Sequence, residues 1–486
     1  HGPVRRRFLS LERGFHCRMS KLRRSLKRHR SAMVVGLITA IMYISLTLIF
    51  FGVMSINNWQ IRHASRTLGT TLLTYAAMTW VMTLVYGGFD VGRRKNKPII
   101  SSMALGVIVV DMVTYLQLQI MNVNENNNDH LILFGADFPY LLLCMALQLA
   151  AIILFVRIGN DSYFRMNPPR ECLLVLGAPG EEAQARRKID RYKLQWHVAD
   201  VALFDAPDMA ERIRKSETVI LSGLPAEEQM RLLKLCYNLQ KDVLCRAQLE
   251  DIMLSNARQV IVDDAPFLAM EYRKMTILQR LIKRVMDILV SALVLLLFSP
   301  LLGLIALCIH LEDGGKVIFR QKRMTVNGRI FNICKFRTMS EAASAKTHQV
   351  SATTDDARIT RVGRVLRRTR LDELPQMWNI FRGDMTLVGP RPEMLENVEK
   401  YKRELPAFAY REKMKAGLTG YAQIEGRYNT TAEDKLMMDL MYIESFSIWL
   451  DIKLLFRTFT VFFKSDSTEG FAEADQSSDR SNAPGV

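Results

Sequence analysis

The stretch RITRVGRVLRRTRLDELPQMWNIFRGDMTLVGPRPE, residues Arg358 to Glu393, places two adjacent acids, Asp372 and Glu373, between cations. Neighbouring carboxylates among arginines suit phosphoryl transfer, one as the attacking group or base and the other holding a divalent cation. The stretch therefore predicts a phosphate site. The flanking cations are Arg367, Arg368, Arg370 and Arg391.

Pro375 limits where a helix can start within this stretch. Proline is tolerated in the first turn of a helix but not further in, so a helix through QMWNIF is predicted to begin near Leu371 to Glu373, with Asp372 at or near its N-cap. Free N–H groups at a helix N-terminus keep a carboxylate ionised and attract phosphate. The alternative from spacing alone is that Asp372 only caps the helix and the arginines pair with surface acids.

The composition indicates a membrane protein whose cysteines lie in a reducing compartment. The chain has 486 residues, 49% of them hydrophobic, and a formal net charge of +17. This length predicts about three structural units. The seven cysteines and eight histidines lack metal-site spacing, which predicts free thiols and no zinc site. No nucleic-acid partner is predicted.

Four apolar runs are long enough to cross a bilayer at about 1.5 Å per residue. The basic segment 1–31 precedes the first run, GRRKNK follows the second, and the acidic, Asn-rich NVNENNND follows the third. The positive-inside rule therefore predicts that the N-terminus and the second loop lie in the cytoplasm and that the chain returns there after the fourth span. The runs are 32–56, 68–86, 98–121 and 138–156, within a predicted membrane region of residues 32–157.

Asp111 is the acid inside the third run. An ionisable residue within a membrane span is a functional hypothesis by default. No basic partner stands at matching depth in the other runs, which argues against a functional role for Asp111.

Residues 170–271 alternate strand-like and helix-like segments, which predicts a small, parallel, Rossmann-like α/β domain. The predicted strands are CLLVLG, HVADVALF, TVILSG and RQVIVDD, and the predicted helices are GEEAQARRKIDRY and AEEQMRLLKLCYNLQ. LGAPGEEAQ offers two of the three glycines of a dinucleotide fingerprint, and Glu181 and Glu182 would repel pyrophosphate. We therefore predict a regulatory or oligomerisation module, with a homodimer as one consequence, in place of a nicotinamide site.

A fifth apolar segment, LQRLIKRVMDILVSALVLLLFSPLLGLIALCIHL, is interrupted near its centre by Ser299 and Pro300. Cations flank both ends, so both ends favour the cytoplasm. A helix over residues 276–312 that breaks at this pair and enters and leaves the membrane on one face satisfies the charges. The alternative is a Pro-kinked fifth span. Asp287 is predicted to form an intrahelical ion pair, in preference to receiving a lipid headgroup.

Four motifs after this segment carry a family resemblance. KFRTM, LDELPQMWN, GDMTLVGPRPE and GLTGYAQ, in this order, resemble the bacterial sugar transferases, monotopic polyprenol-phosphate phosphoglycosyl transferases that start glycan assembly on undecaprenyl phosphate. The resemblance covers about residues 278–463, and the chain is similar to the large, multi-domain form. It implies a membrane protein with a four-helix transmembrane bundle and an α/β domain. It also implies a re-entrant helix and a mainly helical catalytic domain, residues 313–464, on the cytoplasmic face of the bacterial inner membrane. The tail 465–486 is predicted to be disordered.

The resemblance implies a role for each matching residue. Asp372 matches the nucleophile that attacks the β-phosphate of a UDP-sugar, releases UMP and holds the sugar phosphate for transfer to undecaprenyl phosphate. Glu373 matches its partner, which with Asp372 would hold Mg2+ or orient the phosphates. Arg391 matches an arginine associated with the nucleotide, and Arg367 matches one near the phosphates.

Other residues are weaker predictions. Lys335 and Arg337 of KFRTM alternate along a strand and could share one face towards phosphate. Ser299 and Pro300 match the pair that breaks the re-entrant helix. Asp451 is predicted to be a helix-surface acid. A supporting brace is predicted from Asp355, Asp356 and Arg358.

Four positions depart from the family pattern and leave the local loop shape and the sugar open. Two other functions stay as alternatives: a membrane nucleotide-sugar dehydratase, which would need an intact glycine fingerprint, and a non-catalytic scaffold or sensor. The departures are Arg370 where the family usually has Ser, Thr325 where it usually has Gly, Lys316 where it often has Pro, and Ala416 where Pro precedes GLTG.

Overall fold

The computed structural model describes residues 30–92, 95–125, 134–270, 275–340, 358–426 and 430–461. Asp355, Asp356, the predicted tail and most of the basic N-terminal segment lie outside the described residues. The chain divides into two compact units, His1–Ala247 and Gln248–Val486. The predicted domain limits stay predictions.

Within the described residues of the first unit, four helices are long and apolar enough to cross a membrane, and the chain is therefore a membrane protein. Their positions confirm the four predicted runs, although the fourth helix continues to Met166, past the predicted end at Val156. These helices are α1 (Arg30–Met54), α3 (Arg66–Tyr86), α4 (Asn96–Glu125) and α5 (Phe138–Met166), with the short α2 (Trp59–Arg62) between the first two.

Local sequence explains where these helices begin and end. The hydroxyl of Ser65 accepts a hydrogen bond from the backbone N–H of Leu68 at 3.0 Å and caps the start of α3. Gly87 ends the same helix with a left-handed φ of 86°, which glycine adopts without strain. Pro139 lies in the first turn of α5, where its missing N–H costs nothing.

A parallel four-stranded sheet follows, in which β1 (Arg170–Leu176) and β3 (Thr218–Ser222) lie side by side between the outer strands β2 (Trp196–Leu203) and β4 (Asp242–Cys245). The apolar run of β1 is buried at the centre of the sheet, as expected for a strand covered on both faces. The predicted α/β alternation is confirmed for this part of the first unit. The elements are β1 (Arg170–Leu176), α6 (Glu182–Asp190), β2 (Trp196–Leu203), α7 (Met209–Lys215), β3 (Thr218–Ser222), α8 (Ala226–Asn238) and β4 (Asp242–Cys245).

One predicted strand of this sheet is wrong. RQVIVDD forms β5 (Arg258–Val262), which pairs antiparallel with β6 (Ala265–Ala269), and the parallel sheet is completed by β4 instead. The two-residue turn at Asp263 and Asp264 brings β6 directly back onto β5, so an antiparallel hairpin forms instead of a crossover into the parallel sheet. Asp242–Cys245 gave no strand signal because it is short and has exposed residues.

The second unit contains a bent helix pair, α10 and α11, whose axes meet at 61°. Phe298 separates the two helices, directly before Ser299 and Pro300. Helices then dominate the described part of the unit, as predicted. The elements are α9 (Leu249–Leu254), α10 (Ile277–Leu297), α11 (Ser299–Asp313), β7 (Ile318–Met324), β8 (Ile330–Phe336), α12 (Arg361–Thr369), α13 (Gln376–Arg382), β9 (Thr386–Val388), α14 (Leu395–Glu404), β10 (Gly417–Thr419), α15 (Tyr421–Glu425), α16 (Ala432–Glu444) and α17 (Ile448–Val461).

Lys283 fixes α10 in the core of the second unit. Its Nζ donates to Asp451 Oδ2 at 2.5 Å and to the Val388 carbonyl at 2.9 Å. The Tyr442 hydroxyl donates to Asp451 Oδ1 at 2.7 Å. Lys283 is 5% exposed and Asp451 is 0% exposed, so the prediction that Asp451 is a surface acid is wrong. Burial raises the pKa of Asp451, and Lys283 opposes that rise.

Asp287, one turn after Lys283, binds the sheet. Its Oδ1 accepts hydrogen bonds from the Leu387 backbone N–H at 2.9 Å and from the Thr386 hydroxyl at 3.0 Å. The predicted intrahelical ion pair with Lys283 is therefore wrong, because each residue of the expected pair is committed to a partner distant in sequence. Together, the two residues join α10 to β9.

Removing one partner of the buried Lys283 pair should destabilise the second unit strongly. Lys283→Met leaves Asp451 buried without its cation, and we expect a loss of about 3–5 kcal/mol. Lys283→Met combined with Asp451→Leu should recover part of that loss, because no charge is then buried unpaired. The measurement is the denaturant midpoint of each purified variant. Equal midpoints for Lys283→Met and the wild type would contradict the assignment.

Candidate active site

The acid pair lies in a tight turn between α12 and α13. Arg370 ends α12 with a left-handed φ of 55°, and Leu371–Glu373 form a 3₁₀ turn closed by the Glu373 N–H on the Arg370 carbonyl at 3.3 Å. Regular helix begins only at Gln376, after Pro375. The predicted helix start is therefore about one turn too early, and Asp372 lies in the 3₁₀ turn instead of at the N-cap.

Glu373 is held between two cations. Its Oε1 accepts from Lys335 Nζ at 3.1 Å and from Arg391 Nη2 at 3.4 Å, and 20% of its side chain is exposed. Burial raises the pKa of Glu373, but Lys335 and Arg391, with Arg370 adding to them, outweigh burial and lower it to about 2. Glu373 is therefore ionised at physiological pH.

Asp372 has the opposite balance. Burial raises its pKa, the neighbouring charge of Glu373 adds to the rise, and Lys335 and Arg367 oppose it. Arg367 is oriented by Thr338, whose hydroxyl accepts from the guanidinium Nε at 2.9 Å. The pKa values of these two adjacent carboxyl groups thus shift in opposite directions. Glu373 forms direct ion pairs, and the nearby cations act on Asp372 through their charge.

The loop Gly389–Pro392, which carries Arg391, is tied down through its carbonyl groups. Arg391 is thereby held against Glu373 by the fold itself, which is the arrangement expected of a preorganised site. The donors come from three different elements: Gly417 N to the Pro390 carbonyl at 2.8 Å, Arg411 Nη2 to the Arg391 carbonyl at 2.6 Å, and Arg323 Nη1 to the Pro392 carbonyl at 3.2 Å.

A second buried ion pair supports this loop. Arg411 contacts Asp439 Oδ2 at 2.7 Å, and its guanidinium lies 4.8 Å from the ring centre of Phe408. Burial raises the pKa of Asp439 to about 6, with Arg411 opposing the rise. Arg411 is 7% exposed, so it binds the loop that carries Arg391 from inside the core.

Two glycines allow the loop to pass close to β10. A Cβ atom on Gly417 would lie 2.0 Å from the Gly389 nitrogen, and one on Gly389 would lie 2.4 Å from the Lys415 carbonyl oxygen. No larger residue fits at either position without moving the backbone. The GLTG segment and the Gly389–Pro392 loop therefore pack directly against each other.

The bent helix pair is attached to both helices that flank the acid pair. Arg284 of α10 donates to the carbonyls of Ile380 and Phe381, at 2.8 and 2.7 Å, and so caps the C-terminal end of α13. Glu312 of α11 accepts from the Arg361 N–H at 2.7 Å and caps the start of α12. Both limbs of the bent pair thus contact the same region, on either side of Asp372.

Three further predicted site residues, Arg337, Ser299 and Pro300, have the following positions and contacts. Arg337 is 5% exposed and lies just past β8, where its backbone N–H donates to the Val317 carbonyl at 2.9 Å. Ser299 and Pro300 occupy the first turn of α11, and the Ser299 hydroxyl donates to the Leu296 carbonyl at 2.8 Å. Their predicted roles stay predictions.

Sequence reasoning missed the residues that hold the site together. The charges on α10 were visible as a signal, since Lys283, Arg284 and Asp287 interrupt an apolar helix. Their partners were not visible, because each is about 100 residues or more away. The residues whose structural roles were missed are Lys283, Arg284, Asp287, Glu312, Arg323, Thr338, Arg411, Asp439, Tyr442 and Asp451.

Asp372 and Glu373 fit a magnesium ion that binds together with substrate. Mg2+ is usually held by one or two carboxylates plus phosphate oxygens and water. Within the described ranges, no group of three or more His, Cys, Asp or Glu side chains could hold a metal. The two carboxylates alone therefore do not form a complete protein cage for a metal ion.

Residues 278–465 match the sequence profile of the family described as Bacterial sugar transferase. Over 190 residues the chain is 42% identical to the UDP-glucose:undecaprenyl-phosphate glucose-1-phosphate transferase of Caulobacter vibrioides, a match that covers 38% of this chain and 71% of that protein. The chain belongs to the bacterial sugar transferase family.

Longer relatives match over the same part of the chain. The UDP-N-acetylgalactosamine-undecaprenyl-phosphate N-acetylgalactosaminephosphotransferase of Aeromonas hydrophila is 43% identical over 181 residues, which are 36% of this chain and 42% of that protein. The UDP-glucose:undecaprenyl-phosphate glucose-1-phosphate transferase of Escherichia coli K12 is 44% identical over 184 residues, 37% of this chain and 39% of that protein. The match thus spans about two fifths of these relatives.

Two departures from the expected pattern of the sugar transferases compensate each other. The buried hydroxyl of Thr325 accepts the backbone N–H of Ala416 at 2.9 Å. Proline at position 416 would have no N–H to satisfy, and glycine at 325 would have no acceptor to offer. Alanine at position 416 therefore requires a hydroxyl acceptor at position 325, and Thr325 supplies it to the buried N–H of Ala416.

The glycine loop of the α/β sheet is closed in this sugar transferase. Glu181 places its carboxylate against Gly223, 1.9 Å from where a Cβ atom would lie, and Gly177 meets the Gly223 carbonyl equally closely. A carboxylate at this edge of the sheet disfavours a pyrophosphate. The geometry therefore gives no support to the dehydratase alternative.

The Thr325–Ala416 pair makes a prediction on stability. Thr325→Ala leaves the buried Ala416 N–H without an acceptor, and we expect a cost of about 1–3 kcal/mol. Adding Ala416→Pro removes that N–H, so the double variant should be more stable than Thr325→Ala alone. Denaturant midpoints of the wild type, both single variants and the double variant test this. Additive losses in the double variant would refute the compensation.

Proposed function

We propose that the protein transfers a hexose 1-phosphate from a UDP-sugar to undecaprenyl phosphate and releases UMP, as the first membrane step of exopolysaccharide, capsule or related glycan synthesis. The names of the relatives support the reaction class. One observation on this chain carries the proposal: Asp372 lies beside Glu373, which Lys335 and Arg391 hold ionised.

Asp372 is the proposed nucleophile. One of its oxygens attacks the β-phosphorus of the UDP-sugar, the bond to the bridging oxygen breaks, and UMP leaves with the electron pair. The sugar phosphate stays on Asp372 as an acyl phosphate. A phosphate oxygen of undecaprenyl phosphate then attacks the same phosphorus and releases Asp372, which gives a lipid diphosphate-linked sugar.

The surrounding cations have the proposed task of binding phosphate. Arg391 would contact the nucleotide side of the diphosphate, and Arg367, Lys335 and Arg337 would face the phosphate oxygens. Mg2+, held by Glu373 and Asp372 with the substrate, would supply further neutralisation of the diphosphate charge. Glu373, already paired, is the weaker nucleophile of the two acids.

We also propose that the bent helix pair is re-entrant and that the catalytic domain lies on the cytoplasmic face of the inner membrane. Arg284 on one limb and Glu312 on the other bind helices on either side of the acid pair, which supports both limbs opening on one face. Such a placement brings a soluble nucleotide sugar and a lipid phosphate together at the membrane surface.

We infer that the parallel sheet of the first unit is a Rossmann-like regulatory or oligomerisation module of a homodimer. Its parallel strand order supports the Rossmann-like assignment, and its closed glycine loop supports a role other than nucleotide binding. Sedimentation of the full chain in detergent tests the dimer. A monomer at all protein concentrations would remove that part of the proposal.

Asp372→Asn should abolish turnover without unfolding the protein. The amide cannot attack phosphorus, so we expect UMP release to fall by at least about 10³-fold. The assay uses purified protein, Mg2+, undecaprenyl phosphate and a panel of UDP-sugars, with the unfolding temperature as a folding control. UMP release with one donor identifies the sugar, and an unchanged rate in Asp372→Asn rules out the nucleophile assignment.

Glu373→Gln should weaken the dependence of the rate on Mg2+. The change removes one proposed magnesium ligand while keeping the size of the side chain. The same assay, titrated with MgCl2, measures the concentration for half-maximal rate. If that concentration does not change relative to the wild type, Glu373 does not hold the ion.

Lys335→Met should move the acid limb of the pH–rate profile to higher pH. Asp372 must be ionised to attack, so the rate rises as pH passes its raised pKa. Of the groups that lower the pKa of Asp372, Lys335 has the largest effect. Without Lys335 the pKa of Asp372 is higher still, so its ionisation requires a higher pH. Lys322→Met, an exposed lysine on β7, is the matched control. Identical acid limbs in both variants would contradict the role of Lys335.

Cysteine labelling should distinguish a re-entrant pair from a fifth span. In a background without native cysteines, Glu404→Cys on α14 should react with a membrane-impermeant maleimide in inverted vesicles and not in intact spheroplasts. His63→Cys, in the predicted external loop, is the control and should react in spheroplasts. Labelling of Glu404→Cys in spheroplasts would favour a complete crossing.

A further inference from the structure

Asp111 is buried in the centre of the membrane bundle without a counter-charge. It is 0% exposed and lies near the middle of the apolar part of α4. Within residues 31–54, 67–86, 98–121 and 138–156, the four spans contain no Lys, Arg or His. An isolated carboxylate in such surroundings is too costly to remain charged and unpaired.

The hydrogen bonds around Asp111 do not satisfy its carboxylate. Oδ2 faces the Cys144 thiol at 4.0 Å, which is a weak donor, and Oδ1 has no partner in the described part of the chain. Gln148 is a close neighbour, but its Nε2 already donates to the Leu46 carbonyl at 3.0 Å and to the Tyr75 hydroxyl at 3.2 Å. Those two bonds use both protons of the amide nitrogen.

Further oxygen atoms near the centre of the bundle also lack a donor. Gln148 Oε1 and Thr71 Oγ1 are buried, and neither has a partner among the described residues. Thr71 is one turn from Tyr75 on α3, and Tyr75 neighbours Asp111 electrostatically. One carboxylate with amide and hydroxyl oxygens from three helices is a set of hard ligands with a charge of minus one, which suits a small monovalent cation.

A small cleft with several hydroxyl groups lies beside this centre, and its lining includes Tyr75 and Val110, the residue before Asp111. It runs between α1, α3 and α4, from Gly88 at the end of α3 to Tyr75, and leaves a free volume of about 30 Å³. That space accommodates about one water molecule. The Gly88 end adjoins the basic second loop. The hydroxyl groups along the cleft belong to Tyr43, Tyr75, Thr79, Thr83, Tyr86 and Ser102.

We propose that Asp111 is the centre of a binding site for one small cation, Na+ or a proton, that exchanges through this cleft. The cation neutralises the carboxylate and links α3, α4 and α5 through the unpaired oxygens. The titratable groups that face Asp111 are Tyr75 and Cys144, on α3 and α5. The cleft has no cationic side chain, so it does not suit a phosphate headgroup. The site lies within the first unit.

Thermal unfolding of the full chain in detergent tests the site. One arm varies NaCl against choline chloride at constant ionic strength and high pH. The other varies pH in choline chloride without sodium. If sodium binds, the unfolding temperature of the wild type should rise with saturable NaCl by about 3 °C or more. If a proton binds, the unfolding temperature should fall as pH rises, with no effect of NaCl.

Three variants decide the outcome. Asp111→Asn should abolish whichever dependence the wild type has, and Asp161→Asn, an exposed acid further along α5, should keep it. Thr71→Val retains the carboxylate, and should raise the NaCl concentration for half-saturation several-fold if sodium is bound. The proposal is overturned if the wild type responds to neither variable, or if the response persists in Asp111→Asn.

Discussion

The buried ion pair between Lys283 and Asp451 joins the first helix of the bent pair to the last described helix of its unit. Lys283 also binds the Val388 carbonyl, and Asp287 binds the N–H of the next residue back along β9. β9 leads directly into the loop that carries Arg391. The first helix of the bent pair and the loop that carries Arg391 are therefore fixed to each other through a few hydrogen bonds. Because charges buried this deeply tolerate little movement, the two are expected to behave as one rigid element.

The same rigidity explains how two adjacent acids acquire different properties. Two contacts hold Arg391: Arg411 donates a hydrogen bond to its backbone carbonyl, and its guanidinium donates to the carboxylate of Glu373. Glu373 is therefore neutralised by fixed partners, and burial acts on Asp372 with weaker compensation. Adjacent carboxyl groups can thus have opposite pKa shifts when their surroundings differ.

Departures from a family pattern do not always indicate a change of function. Thr325 and Ala416 restore together a hydrogen bond that neither residue alone would explain. Arg370 also departs from the pattern, and it adds positive charge near Glu373 from a left-handed position. These substitutions change how the loop is held while the acid pair and its cations stay together.

Local patterns determined much of this protein. Apolar run length predicted the four membrane helices, alternation predicted the α/β sheet, and motif order predicted the family, because each depends on residues close in sequence. Local pairing at Asp263 and Asp264 diverted one predicted strand into a hairpin. The partners of Lys283, Asp287 and Arg284 were decided only by tertiary structure, since a charge in an apolar helix shows that a partner is needed but not which one. The strengths of Asp372 and Glu373 as acids likewise depend on burial and on distant cations, which no spacing in the sequence encodes.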